Sequence, residues 1–548
     1  MTQGRSREEV IQSDRDDLHK LGYAQELLRS MGGFSNFAIS FSIISILTGA
    51  VILYDYGLAW AGTAAVLIGW PLVTVFVLLI AASMGEIASA YPTAGGLYYW
   101  ASRMKNKNWG WWTAWLNLIG QFAIVAGINY AAAGFLNATI IDKVTGGTFN
   151  TTEIIPGILN GQLVTMGVLM LIQLAMNIAG ISLVSLLNQV SVWWHIVIVA
   201  AVVILVFVAG KPDQSGLHLF AIEPLDKAGS WDNNLGVVHL TYGPAVSYPI
   251  ILAFFFSLLQ ANWTYTGYDA SAHVAEETVG ARVSSAWGIF LSVAVSAIVG
   301  FVFLLALTTH LPSLTTLFPD TLDDAATYSQ YYFGGGVAVI DILKYNLGNF
   351  GDVLSAGIAI AMAFCGLSSV ASAGRMLYAF SRDDGLPGAS WLKKVSHRYR
   401  TPANSLIAIV VVSWLFTVAA FIVGTGTAII IVTAISTIFL YAAYGVVIYL
   451  GATTSDWLKE RVWSLGRWSK PVAWVAIAWV LILMVLFSFP TSGNISFPFM
   501  IVTVVLLVVY YFGWARARFK GPKVMGDASE LTEIEREFQQ AAQELGTP

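Results

Sequence analysis

The chain has 548 residues, 57% hydrophobic and only 11% charged, whereas soluble domains carry roughly 25% charged residues, so a water-soluble body of this size is excluded. Its 28 basic and 32 acidic residues leave a net charge of −4, which excludes a nucleic-acid-binding scaffold. The single cysteine, Cys365, excludes an intramolecular disulfide and any multi-cysteine metal site, and what these numbers fit is a polytopic membrane protein.

The first 33 residues are polar and mixed in charge, unlike a secretory signal, and are expected to form a cytoplasmic segment. A bilayer core about 30 Å thick takes roughly 20 apolar residues of helix. That ruler predicts twelve spans, at 35–54, 61–82, 112–136, 162–180, 187–209, 248–270, 284–308, 352–373, 404–423, 428–450, 472–490 and 498–514. The continuous apolar run at 196–209 lacks the alternation of barrel strands, so the expected fold is an all-α integral membrane bundle. Between spans 7 and 8, the polar, Tyr-rich segment 309–349 is expected to carry short helices. After Gly513 comes a basic strip and then an acidic, amphipathic tail, read as a solvated end whose charges set topology.

An even number of spans puts both termini on one side. That side collects 24 of the 28 Lys and Arg residues, leaving Lys143, Lys211, Lys227 and Lys344 opposite. Because basic loops stay inside, both termini are expected in the cytoplasm, with the cell membrane as the host bilayer.

Irregular backbone is tolerated at membrane depth only where it lines protein or a water-filled cavity. Spans 1 and 6 carry such interruptions. Span 1 has Ser42, Ser45, Thr48 and Gly49 at its middle; span 6 has Asn262, Thr264, Thr266 and Gly267, followed by Asp269. Matched interruptions in two halves point to a binding site between broken helices, where freed amides hold a carboxylate and freed carbonyls an amine or cation. Close packing through small residues is the alternative explanation of each Thr-Gly pair.

Three further blocks lie near helix ends. EIASAYPTAGGLYYW starts at Glu86, GYDASAHVAEET spans 267–278, and GRMLYAFSRDDGLP spans 374–387, with Thr401, Pro402 and Asn404 beyond it. In this order and spacing they resemble the amino acid–polyamine–organocation superfamily of transporters. The opening LGYAQEL at 21–27, FSNF at 34–37 and Thr48-Gly49 resemble its amino acid/choline branch, which includes permeases for 4-aminobutyrate, other amino acids and choline. The likeness covers about residues 18 to 515.

The resemblance implies a leucine-transporter-type five-plus-five inverted repeat with two additional C-terminal helices, working by alternating access without a cofactor. The expected divisions are a cytoplasmic segment 1–33, a first repeat 34–209, an extracytoplasmic loop 210–247, a second repeat 248–450, two added helices 451–514 and a cytoplasmic tail 515–548. The substrate, a small amino acid or related amine, is expected against Ser45, Thr48, Gly49 and Ala50 of span 1. On span 6 the expected contacts are Asn262, Trp263, Thr264, Tyr265, Thr266, Gly267 and Tyr268. Trp263, Tyr265 and Tyr268 offer faces for an ammonium. Glu86, Asp269, Glu276, Glu277 and Arg375 are expected to gate the inner mouth through charge pairs.

His195 occupies a position where some proton-driven relatives carry a lysine, and a protonatable group inside a span is a functional candidate by default. H⁺ is therefore the expected coupling ion. Na⁺ held by Ser368 and Ser369 of span 8 is the alternative, as is a choline- or polyamine-type organocation in place of an amino acid. An enzyme is disfavoured because the seven histidines are dispersed, only His195 and His273 lying at depth. A non-transporting nutrient receptor and a channel are the remaining alternatives. No nucleic-acid partner is expected, only the solute, the ion and the lipid bilayer.

Overall fold

The computed structural model describes residues 6–223, 231–232, 237–239, 247–313, 317, 337–424, 428–489 and 496–544. Eleven helices among them are long and apolar enough to cross a membrane. They correspond in order to eleven of the twelve expected spans. Spans 1 to 5 are Gly33–Ile52, Ala64–Ala90, Lys107–Thr145, Gly161–Ile178 and Ile181–Ala209. Spans 7 to 12 are Ala281–Thr308, Asn349–Arg382, Ala403–Val423, Ala428–Thr453, Gly466–Leu486 and Phe497–Arg518. The remaining apolar helix, Ile250–Thr264, is shorter because span 6 unwinds after Thr264 and resumes only as Ala270–His273. The protein is an all-α membrane bundle.

Several helices outrun the apolar stretch that predicts them. Span 8 was expected to end at 373 but continues to Arg382, since Arg375 and Arg382 find buried acidic partners and the helix need not stop at its first charge. Span 3 runs past 136 through a π-helical turn, Asn137–Ile141. In the segment after span 7, Val337–Leu347 is helical, as expected of that region. Residues 318–336 lie outside the described residues, as do 224–230, 233–236 and 240–246 of the loop before span 6. Among the described residues the named strands form only small antiparallel pairings, such as Glu153–Ile155 with Leu159–Asn160.

The two ends of the chain pack together. Residues Arg7–Lys20 form a helix, started by Ser6, whose hydroxyl accepts from the Glu9 amide while the Glu9 carboxylate accepts from the Ser6 amide. The amphipathic tail forms a helix, Ala528–Glu544. It is not merely solvated: Glu535 is buried, taking the Gln25 amide at 2.8 Å, His19 Nε2 at 2.7 Å and Arg15 Nε at 3.2 Å. Both termini therefore cap the same end of the bundle, called here the terminal end.

Candidate functional site

Span 1 breaks at Ser45, which sits at φ +32°. A left-handed conformation costs a non-glycine residue roughly 1–2 kcal/mol, so the kink has to be held by its surroundings. Backbone hydrogen bonding restarts beyond it, with the Thr48 and Gly49 amides donating to the Ser45 carbonyl at 2.8 and 2.9 Å. Span 6 breaks over 265–269, turning on Gly267 at φ +83°.

The breaks touch. A Cβ on Gly49 would lie 2.6 Å from both Cα and Oγ1 of Thr264, and one on Gly267 would lie 2.3 Å from Ile43 Cγ2. Further along, the Ser40 hydroxyl donates to the Tyr268 carbonyl and accepts from the Ser271 amide, both at 2.9 Å. Gln260 donates to the Ala50 carbonyl at 3.0 Å. The unwound turn of span 6 is also served by span 10. Tyr441 donates to the carbonyls of Asn262 (3.1 Å) and Tyr265 (3.3 Å), and Tyr444 Oη accepts from the Gly267 amide at 3.3 Å.

Thr48, Gly49, Trp263, Thr264 and Thr266 line a hollow between the breaks, together with Ile43 and Ile44 of span 1 and Ile124 and Ile128 of span 3. Its volume is about 10 Å³, room for no more than about one water. An amino-acid-sized solute enters only if spans 1, 3 and 6 separate. The other expected contacts point elsewhere. Tyr265 shares a hydrogen bond with Thr74 of span 2 at 2.7 Å and packs on Trp70, while Tyr268 packs against Tyr444 with the rings tilted by 40° and their centroids 5.0 Å apart. The Asn262 amide donates back to Leu258 at 2.8 Å, and Ala50 is met through its carbonyl. A Gly49→Ala variant is expected to lose about 1–3 kcal/mol by overpacking against Thr264, seen as a lower unfolding midpoint in detergent together with slowed uptake.

Ser45 faces span 5. Its hydroxyl lies 2.8 Å from His195 Nε2 and 2.6 Å from Thr48 Oγ1. His195 Nδ1 is 2.8 Å from the Ser191 carbonyl, an acceptor only, so Nδ1 carries a proton. Nε2, aimed at the break, is then free to accept from Ser45 or, once protonated, to donate to it. Ser368 and Ser369 do not reach span 1. Ser368 donates to the Asn188 side chain on span 5, and Ser369 to the Cys365 carbonyl of its own helix at 2.8 Å. The side chain of span 8 that meets the break is Cys365, whose thiol donates to the Ile43 carbonyl at 3.2 Å.

Asp269 is enclosed rather than gating a mouth. Its carboxylate accepts from Asn117 at 3.0 Å and Gln121 at 3.3 Å on span 3, from Tyr444 at 2.9 Å and from His273 Nε2 at 3.2 Å. The other ring nitrogen of His273 lies 3.1 Å from the Ala94 carbonyl. Both ring nitrogens thus lie against oxygens, one of Asp269 and one of the Ala94 backbone.

At the terminal end, two fully buried acids are each held by two bonds from one arginine. Glu277 takes Arg375 Nε at 2.9 Å and Nη2 at 3.2 Å, and Glu276 takes Arg382 Nη1 and Nη2 at 3.0 and 2.9 Å. The segment before span 1 lies across them. Arg29 donates to the Ala275 carbonyl at 3.2 Å, and the Ser30 and Met31 amides donate to the Glu277 carbonyl at 3.0 and 2.9 Å. The Arg382 guanidinium lies 3.8 Å from the Tyr23 ring centre, and Tyr23 and Tyr98 both donate to Asp383. Burial pushes the carboxyls of Glu26 and Asp383 above the usual range, with the Arg382 charge opposing it in both. Glu86 stands apart from this cluster. It accepts from Arg461 at 2.6 Å, the Leu465 amide at 2.7 Å and Ser469 at 2.8 Å, all just before or at the start of span 11.

The residues that sequence reasoning missed are Tyr441, Tyr444, Asn117, Gln121, Arg382 and the span 3 isoleucines; His273 was placed at depth but given no partner. Tyr441 and Tyr444 stand three apart in an apolar span, and Asn117 and Gln121 four apart, so each pair marks one helix face. That spacing was a usable signal. Isoleucines in an apolar helix carry none.

Residues 31–510 match the family described as amino acid permease. Among curated proteins, the chain is 32% identical over 535 residues to amino-acid permease BAT1 of Arabidopsis thaliana, covering 94% of this chain and 97% of that one. It is 25% identical over 537 residues to the GABA-specific permease of Saccharomyces cerevisiae, covering 95% and 88%. A Candida albicans protein whose name describes a polyamine transporter is 26% identical over 534 residues, covering 94% and 90%.

Proposed function

Because the chain belongs to the amino acid permease family, we propose that it is a secondary active carrier importing a small amino acid or related amine by alternating access, with H⁺ as the coupling ion. The observation that carries this reading is the junction of the two breaks with His195. Two interrupted spans face each other across a hollow that is closed to solutes, and a titratable imidazole reaches the kink of one of them at 2.8 Å. Opening and closing that junction exposes the hollow to one side or the other, and the proton on Nε2 ties the kink to the coupling ion.

A zwitterion fits best. Freed amides near the kink suit a carboxylate, and the Trp263 indole at the hollow suits an ammonium. Asp269 is not available to a polyamine, its carboxylate being already met by four side chains. The relatives named for 4-aminobutyrate and for polyamines match about equally, at 25% and 26% identity, so the choice of a small amino acid rests on the site itself. Na⁺ coupling is the weaker alternative, since Ser368 and Ser369 are turned to other partners. Residues 34–209 and 248–450 act as the two repeats, each opened by one broken helix. The terminal end, rich in Lys and Arg, faces the cytoplasm, and the Glu276–Arg382 and Glu277–Arg375 pairs are its gate.

The test is uptake into proteoliposomes with a panel of amino acids, choline and polyamines, varying pH and sodium independently. Saturable uptake of a neutral or ω-amino acid is expected, stimulated by an inward proton gradient and indifferent to sodium. A strict sodium requirement would overturn proton coupling, and solute binding without uptake would leave a receptor instead of a carrier.

A further inference from the structure

A second cavity, of about 240 Å³, lies away from the breaks, near the terminal end. Water occupies roughly 30 Å³, so this space would hold about eight molecules. Span 2 contributes Glu86 and Ile87, span 10 contributes Ile448, and the turn Asp456–Lys459 contributes Trp457 and Leu458. Most of this wall is apolar.

Three cations also line it: Arg461, Arg467 and Lys470. Arg461 is neutralised by Glu86 at 2.6 Å. Arg467 and Lys470 have no acidic partner among the described residues; the Arg467 guanidinium only approaches the Trp468 ring, at 5.7 Å. The helix Ser469–Leu486 begins here without a side-chain cap, so its first amides and its dipole add to the same positive field. The cavity therefore holds a surplus of two positive charges beside an apolar wall.

Its surroundings set the depth. Trp468 and Trp474 are 58% and 49% exposed, and tryptophan gathers at the membrane–water boundary. Beyond them Val475, Leu481, Ile482 and Val485 are exposed, forming a face that only lipid tails would cover. The cavity is thus at headgroup level, continuous with a lipid-facing helix. The geometry points to a site for one anionic phospholipid, its phosphate held between Arg467 and Lys470 and its acyl chains lying along span 11. A free phosphate shares the chemistry of the cations but makes no use of the apolar wall or the lipid-facing side. Basic pockets between membrane helices take lipid headgroups for these same reasons.

The site reaches span 2. The Val462 and Trp463 amides both donate to Ser89 Oγ at 3.2 Å, and the Leu465 amide to Glu86 at 2.7 Å. A headgroup that orders residues 461–470 therefore steadies the end of span 2 through these bonds.

The test uses the full chain in detergent micelles, titrated separately with dioctanoyl-phosphatidylglycerol, dioctanoyl-phosphatidylcholine and inorganic phosphate. Intrinsic tryptophan fluorescence and the thermal midpoint are read. Phosphatidylglycerol is expected to give a saturable response at least tenfold tighter than phosphatidylcholine. The double variant Arg467→Gln/Lys470→Gln is expected to weaken it at least tenfold. Ala473→Phe, which fills the cavity and leaves every charge in place, is expected to weaken it as well, and decides the matter if the double variant does not fold. An unchanged phosphatidylglycerol response in the variants overturns the site. So does an equal response to phosphatidylcholine, and a full response to phosphate at the same concentration would mean a free-anion site and not a lipid one.

Discussion

Replacing Arg375 with methionine is expected to open the terminal end of the bundle, and the change is read at Cys365. In the closed arrangement Arg375 and Glu277 are both fully buried and joined by two hydrogen bonds. Removing one partner of a buried pair leaves an uncompensated charge, at a cost of about 3–5 kcal/mol. At about 1.4 kcal/mol per decade, that shifts the balance between closed and open forms by roughly two to three and a half decades. The stranded Glu277 carboxylate regains water only if spans 1, 6 and 8 part around it. Cys365 lies ten residues up span 8 from Arg375, about 15 Å along the helix axis, and its thiol is sealed against the Ile43 carbonyl. A membrane-impermeant thiol reagent applied from the terminal side is therefore expected to label Arg375→Met at least ten times faster than the wild type. The paired variant Glu277→Gln/Arg375→Met removes both charges of the pair together and is expected to return labelling towards the slow rate. Equal rates in wild type and Arg375→Met would show that this pair does not hold the closure, and the labelled fraction must elute as a monodisperse peak so that unfolding is not mistaken for opening.

How much of this was legible beforehand differs between backbone and side chains. The spans were readable because a bilayer imposes a length and forbids charge within it, and both breaks fell where Ser45, Thr48 and Gly267 interrupt an apolar run. Helix ends were less readable. Span 8 passes its expected end by nine residues because Glu276 and Glu277, distant in sequence, neutralise its arginines. The helix Arg7–Lys20 was announced by the spacing of Ser6 and Glu9, a signal easily passed over in a polar segment. Side-chain roles depended on rotation about helix axes, which hydropathy does not record. Glu86 shares its block with residues that meet the closure, yet it faces Arg461 because its own position on span 2 points towards span 11. Tyr265 and Thr266 are adjacent on an unwound turn, and only Thr266 lines the hollow. His195 was found through a positional likeness; the distance to Ser45 then gave it a physical partner.

The second large effect concerns that partner. His195→Ala is expected to abolish pH-driven accumulation while leaving counterflow exchange in place. Moving one charge through 100 mV releases about 2.3 kcal/mol, which sustains roughly a fifty-fold gradient at about 1.4 kcal/mol per decade. A carrier without its proton site equilibrates its solute, so that ratio is expected to fall to about one. Exchange survives because it needs the two breaks to open and close, and the methyl of alanine leaves their contact through Gly49 and Thr264 untouched. A purely structural histidine would behave otherwise, because losing its bonds to Ser45 and the Ser191 carbonyl would slow exchange and accumulation together. His195→Gln separates the two cases further. Its amide can keep a hydrogen bond to Ser45 at every pH but cannot take up a proton, so it is expected to exchange at near wild-type rates with no response to a proton gradient. Undiminished accumulation in His195→Gln would move the coupling proton to another group, and the buried Asp269–His273 pair, which also joins span 6 to span 3, is then the next place to look.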